Sequence, residues 1–431
     1  MIPRAWRNAA AAIGLLWLAT AAGAAMVFLA QMLLARRLGP PEYGLFASSL
    51  ATVTMVAPLA GFGLSQFRLK AYGAEGWGAD RWLRPSLRFT VLSTAAAFAI
   101  VLVWALRGGP VDAPTRAALL ALSPVILGML AIDLVGSKLR LEERYGALAG
   151  WQMLMPAGRL LVAVLVVLIP SAGVVSATLG YCAVALLAVA LALPQLRAML
   201  RGGMQLRGHG PRPADFAPAP NPGVMRLCAE AWAYGVAAVL YPVFFQVSTV
   251  LLKYLGGDAQ AGRYGIALAV MTAIYLLPAT VYQKFLLSKL HRWAVHEVDK
   301  FWRVYRRGNW AMLLSGLAVG LALAVAAPLL VPLAFGEAYR GVAAILMVLA
   351  LCVPIRFLST AVGSALLTSD HMRYRVLAMA AATAAAVGLN LLLIPFYAEL
   401  GAAAATVLAE LLLLLAMYLG VRRIPRPEAT A

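Results

Sequence analysis

Apolar residues occur along this chain in blocks long enough to cross a bilayer, which takes roughly 20 residues of helix. The first block runs from Ala9 to Ala30. It is too long for the apolar region of a secretory leader, so it predicts a first transmembrane helix starting on the cytoplasmic side. Twelve spans are predicted, near residues 9–35, 44–66, 87–106, 117–136, 147–170, 173–196, 228–252, 264–283, 310–334, 342–367, 374–396 and 401–420. The longest polar stretch, Arg197 to Arg226, contains Pro211-Arg212-Pro213 and Ala217-Pro218-Ala219-Pro220 and reads as a flexible basic linker. It divides the chain into an N-lobe, 1–200, a linker, 201–226, and a C-lobe, 227–431. In a second polar stretch, Lys284 to Asn309, Leu287, Leu290, Trp293, Val298, Phe301 and Tyr305 recur at helical spacing among basic residues. That pattern suits either a helix lying in the headgroup layer or a cytoplasmic extension of the spans.

Composition narrows the class. Of 431 residues, 63% are hydrophobic and 12% charged, against roughly a quarter charged in a soluble domain. A soluble enzyme and a disordered chain are both excluded, leaving an all-α polytopic membrane protein. The net charge of +19 would suggest nucleic acid in a soluble protein, but here most of it is topology and no nucleic-acid partner is expected. With the N-terminus inside, 27 of the 36 basic residues fall on the cytoplasmic side and 7 outside, which places both termini in the cytoplasm. Cys182, Cys228 and Cys352 lie far apart in apolar runs and read as packing residues.

The two halves also resemble each other. Leu38-Gly39 and Tyr43-Gly44 match Leu255-Gly256 and Tyr264-Gly265. Pro58 matches Pro278, Pro124 matches Pro354, and Arg144-Tyr145 matches Arg373-Tyr374. Leu168-Ile169-Pro170 matches Leu393-Ile394-Pro395, and Gly173 with Ala177-Thr178 matches Gly401 with Ala405-Thr406. Six spans per half gives two parallel repeats related by an axis along the membrane normal. Carriers built this way bind substrate near the midplane and rock about that site. Pro58, Pro124, Pro156, Pro242, Pro278 and Pro354 read either as gating bends or as static kinks.

Ionisable groups at membrane depth are costly, so each needs a reason. Arg159 and Arg356 sit mid-span, one in each half. A guanidinium holds phosphate in a two-pronged fork and keeps its charge. The two are candidate anion-binding residues; the rival role is capping helix carbonyls or pairing with a local acid. Candidate ion-coupling acids are Glu410 near the middle of the twelfth span, Asp133 near the end of the fourth, and Glu230 in the first turn of the seventh. Lys138 or Arg140 is a nearby partner for Asp133, and Glu230 suits the helix dipole. Arg68 and Lys70, with Arg81, Arg84 and Arg88, form a basic cluster at headgroup level. It reads as topology or as a first docking site for an anionic lipid. Arg36 and Arg37 run against the charge bias and are candidate exit-side contacts. Signatures of catalysis are missing: there is no HExxH, P-loop or GxSxG, and the histidines show no ligand spacing. No catalytic or metal-binding residue is expected.

The run Ala35-Arg36-Arg37-Leu38-Gly39-Pro40-Pro41-Glu42-Tyr43-Gly44-Leu45-Phe46 resembles the opening motif of the polysaccharide biosynthesis membrane proteins, the flippases of O-antigen and other lipid-linked oligosaccharides. Phe335-Gly336-Glu337-Ala338-Tyr339, Asn390 to Pro395 and Gly401-Ala402-Ala403 agree. The superfamily also holds multidrug exporters and lipid II flippases. The resemblance implies a twelve-helix, two-lobed, V-shaped carrier in the bacterial inner membrane. It would move an undecaprenyl-diphosphate-linked glycan between leaflets through a cationic cavity; no resident cofactor is expected, and Glu410 is the candidate for coupling to a proton or sodium ion. Membrane lipid and a glycan polymerase or ligase are the implied partners. A cation-coupled multidrug exporter is the first alternative and a membrane glycan polymerase or ligase the second. The short outer loops count against the second.

Overall fold

The computed structural model describes residues 4–107, 111–207, 220–279, 297–368 and 372–423. Among these residues the chain is helical and contains no strand. The helices are α1 (Arg4–Val56), α2 (Leu64–Glu75), α3 (Leu83–Leu106), α4 (Ala113–Leu122), α5 (Val125–Leu141), α6 (Tyr145–Leu168) and α7 (Val174–Leu200). They continue as α8 (Val224–Leu255), α9 (Asp258–Ala279), α10 (Val298–Phe335), α11 (Val342–Leu349), α12 (Cys352–Thr368) and α13 (Met372–Arg422). Among the described residues, eight apolar stretches are long enough to cross a membrane. The longest, Gly14–Leu106, is interrupted at Gly39 and by a 3-10 turn at Ala57–Leu59. Arg373–Arg422 is interrupted at Ala398. Counted with these breaks, the protein is a multi-pass membrane protein of about twelve spans.

Two compact units form. One holds Met1–Arg37 and Ser49–Val243, the other Leu38–Ser48 and Phe244–Ala431. The first part of α8 thus groups with the first unit, and the short Leu38–Ser48 segment with the second.

The internal repeat has structural counterparts. The fourth predicted span is broken between α4 and α5 beside Pro124, and the tenth between α11 and α12 beside Pro354. Proline lacks the N–H that would carry the helix through. Positive-φ glycines turn the chain by each matched Leu-Gly pair: Gly39 (φ 73°) in the first, and Gly257 (φ 94°), one residue past Gly256, in the second.

Small residues let the helices approach closely, as membrane packing requires. A Cβ on Gly44 would lie 1.8 Å from the Asp258 carbonyl oxygen, and one on Gly262 would lie 2.4 Å from that of Pro40. These glycines seat the Leu38–Ser48 segment on the start of α9. Tyr43 packs edge-on against Tyr339, 6.4 Å between ring centres, and Tyr339 lies beside Phe335. The two motifs that carry the family resemblance therefore meet in one aromatic contact, and burial pushes the Tyr339 phenol pKa up.

Two expectations change. The linker does not begin as free chain: Met204 and Leu206 are buried with Trp77, Trp82 and Leu227. The Gln205 and Arg207 amides donate to Glu142 Oε1 and the Leu141 carbonyl. The predicted headgroup-layer helix lies partly outside the described residues, and its remainder, from Val298, is one continuous helix with the ninth span. The extension reading holds there because the helix runs from Val298 to Phe335 without a break, its two prolines, Pro328 and Pro332, falling only in the last turns.

Substituting Gly44 by alanine should lower the thermal unfolding midpoint of the detergent-solubilised protein, at a cost of about 1–3 kcal/mol for overpacking. Gly150→Ala, where a Cβ meets nothing within 4 Å, should leave the midpoint unchanged. Equal effects would remove the close approach as an explanation.

Candidate functional site

In the first unit α5 packs against both α6 and α7. On α6, Gln152, Met155, Pro156 and Arg159 follow at helical spacing and share a face. On α5, Met129, Ile132, Asp133, Gly136 and Arg140 do the same. These faces enclose a cavity of about 320 Å³, with Thr54 of α1 also lining it. Its charged lining is two guanidiniums, Arg140 and Arg159, and one carboxylate, Asp133.

Local packing explains the position of Arg159. Gly158 faces Val184 and Gly180 faces Val162, so α6 and α7 nearly touch. This sets the buried Tyr181 ring 5.3 Å from the Arg159 guanidinium carbon. The ring's negative face attracts the cation. Arg159 Nε is buried without a hydrogen-bond partner. One turn before it, Pro156 leaves the residue 152 carbonyl without its usual helical donor. The Trp151 indole donates to the Ile132 carbonyl at 3.2 Å, tying α6 to α5 at the cavity.

Arg356 is placed differently. In the second unit it forms an ion pair with Glu410 at 3.3 Å, and the Glu410 side chain is 1% exposed. The Arg356 guanidinium also lies 4.6 Å from the Phe245 ring centre and 5.5 Å from that of Tyr275. Nearby, Tyr264 and Ser248 hydroxyls share hydrogen bonds with Thr406 Oγ1. The two mid-span arginines thus sit in separate surroundings, one with an acid and one beside a cavity.

The remaining candidates divide. The Arg37 guanidinium donates to the Val166 carbonyl at 3.4 Å and to the Pro170 carbonyl. It caps the end of α6, whose last carbonyls have no helical donor, which gives it a structural role. Arg36 is exposed. Arg68 is buried, not solvated, donating to Ser65 Oγ and Ser137 Oγ at 3.4 and 3.3 Å. Lys70 is exposed, over the Tyr234 ring at 5.8 Å. Lys138 is not the partner of Asp133: it pairs with Glu142 at 3.1 Å and donates to Gln195 at 2.9 Å. Glu230 is exposed and lies nearly two turns into α8, which starts at Val224. The dipole effect fades within the first turn, so that explanation of Glu230 falls. Gln152 and Thr54 were not singled out from sequence, and Arg140 only as a partner for Asp133. The spacing of 152 and 159, and of 133 and 140, was the available signal.

Among the described residues, no cluster of histidine, cysteine or acidic residues has the arrangement of a metal site. The four histidines lie outside those residues.

A profile of the polysaccharide biosynthesis protein family matches residues 10–284. No curated protein sequence matches. Among solved structures, the lipid II flippase MurJ in an inward closed conformation matches with a TM-score of 0.71 and 13% identity, over 95% of this chain and 88% of that one. An inward-facing multidrug resistance MATE family transporter of the MOP superfamily matches with a TM-score of 0.68 and 13% identity, over 93% and 94%. At this identity the likeness speaks for the fold.

The two arginines should separate in a stability measurement. Arg356→Gln leaves the Glu410 charge buried and should cost about 3–5 kcal/mol, read as a lower unfolding midpoint. Arg356→Met with Glu410→Leu should recover most of it. Arg159→Gln should change stability by only about 1 kcal/mol. A loss matching that of Arg356→Gln would make Arg159 a structural residue.

Proposed function

The chain belongs to the polysaccharide biosynthesis protein family, and from that membership we propose that it is a flippase for a lipid-linked oligosaccharide. The substrate class proposed is an undecaprenyl-diphosphate-linked glycan, moved from the cytoplasmic to the outer leaflet of a bacterial inner membrane by alternating access. Both termini are cytoplasmic in this proposal, on the 27 to 7 division of basic residues.

The observation that carries the reading is the cavity of the first unit. Two guanidiniums and one carboxylate give it a formal surplus of one positive charge. A diphosphate is the matching cargo group, because guanidinium forks pair with phosphate oxygens and stay charged at any working pH. Arg159 is the proposed binding residue, with Arg140 beside it and Asp133 moderating the field. In the second unit the Arg356–Glu410 pair is the proposed coupling site, where a proton or sodium ion competes with Arg356 for the carboxylate. The proposed carrier needs no resident cofactor. The lipid-linked glycan and membrane lipid are its proposed partners, with a glycan polymerase or ligase acting on the delivered product.

A second reading, a cation-coupled multidrug exporter, draws support from the buried Glu410 carboxylate. It accounts less well for the positive cavity, since a cationic drug calls for acids there.

Arg159→Gln and Arg140→Gln, each at normal protein level, should reduce export of the glycan at least about tenfold through lost charged hydrogen bonds. The readouts are surface glycan and lipid-linked intermediates in a strain lacking the native chain. Full export in both variants would sink the cavity assignment. Drug resistance on expression, with surface glycan unaffected, would select the exporter.

A further inference from the structure

A second cavity, of about 230 Å³, lies in the first unit between α3 and α7. Arg68 of α2 lines it, with Ser86 and Thr90 of α3 and Arg197 of α7. Arg68 is 5% exposed and Ser86 3%. Arg68 Nε and Ser86 Oγ are both buried without a hydrogen-bond partner.

The Arg68 cation is poorly compensated by what touches it. Its terminal nitrogens donate to two serine hydroxyls and, at 3.8 Å, to the Met199 sulfur. All three acceptors are neutral, and a buried charge with neutral partners is costly. The acid that acts on it electrostatically, Asp133, lines the other cavity and not this one. The rest of the lining is leucine-rich, and Leu87, Leu193 and Leu200 are also exposed on the outside of the unit. A buried guanidinium with a free N–H, a free serine hydroxyl and a second arginine at an exposed position therefore open onto a greasy wall.

We propose that this groove binds the phosphodiester of an anionic glycerophospholipid, its acyl chains lying along the leucines of α3 and α7. Arg68 Nε and Ser86 Oγ donate to the phosphate oxygens, and Arg197 closes the outer side. The lining favours this occupant: two donors without partners suit one phosphate, the leucines suit acyl chains, and about 230 Å³, below the roughly 300–1,000 Å³ of drug-sized sites, suits a single headgroup. The site is a bound lipid that completes the fold's charge balance and is separate from the transport cavity. It rests on the membrane reading of the chain and on nothing about the cargo.

The test is native mass spectrometry of the purified full chain in detergent after exposure to phosphatidylglycerol or to phosphatidylcholine of equal chain length. Wild type should retain one phosphatidylglycerol in preference. Arg197→Gln and Arg68→Lys should each cut that retention about tenfold. Arg197 is exposed, so its variant folds even where the buried one does not. Arg88→Gln, a change on α3 outside the groove, should retain the lipid as wild type does. Equal retention in all variants would overturn the site. Displacement of phosphatidylglycerol by an undecaprenyl diphosphate present at a far lower concentration would also overturn it, by making the groove a substrate site. The readout contains no transport step, so failure of the flippase reading leaves its outcome unaffected.

Discussion

A guanidinium inside a bilayer stays charged, and whatever answers that charge decides what the surrounding helices can do. This protein answers it in two ways. Arg356 is matched by the Glu410 carboxylate and two aromatic rings. That closes the charge internally and makes the pair a unit whose members cannot be removed singly at low cost. Arg159 has an aromatic face on one side and a cavity on the other. Under the proposed function that charge is held for an anion. The close approach of α6 to α7 through Gly158 and Gly180 is what sets Tyr181 against it.

The duplicated scaffold makes that asymmetry easier to see. Helix breaks beside Pro124 and Pro354 and positive-φ glycines at or one residue past the matched Leu-Gly pairs are shared by both halves. The charges are not. At the spacing of the proline pair, Arg356 corresponds to Ile126; at that of Ala177 and Ala405, Glu410 corresponds to Cys182. Arg159 falls opposite the apolar run Ala384–Gly388. One half thus carries the cationic cavity and the other the ion pair. Such a division suits a carrier in which cargo binding and ion coupling are handled by different repeats.

Much of the fold was legible in the sequence because membrane spans announce themselves by length and apolarity, and the repeat by ordered matches. Arg356 and Glu410 stood out singly, as charges in apolar runs. Their pairing did not, since 54 residues separate them. The capping role of Arg37 was hidden because the helix it caps ends 131 residues later, at Leu168. The burial of Arg68 was hidden because a basic residue just past a span looks solvated, while α5 and α7 bury it. The contact between Gly44 and Gly262 was hidden for a general reason: a glycine admits a neighbour without naming it. Helical spacing alone could have added Gln152 and Arg140 to the cavity.

The central claim is that Arg159 is an anion-binding residue and Arg356 a paired one. Equilibrium binding of a short-chain isoprenyl diphosphate to the purified protein tests it most directly, comparing wild type with Arg159→Gln and Arg356→Gln at matched folded fraction. The account predicts that Arg159→Gln weakens binding about tenfold or more, while Arg356→Gln leaves it within about twofold. Wild-type affinity in Arg159→Gln would contradict it.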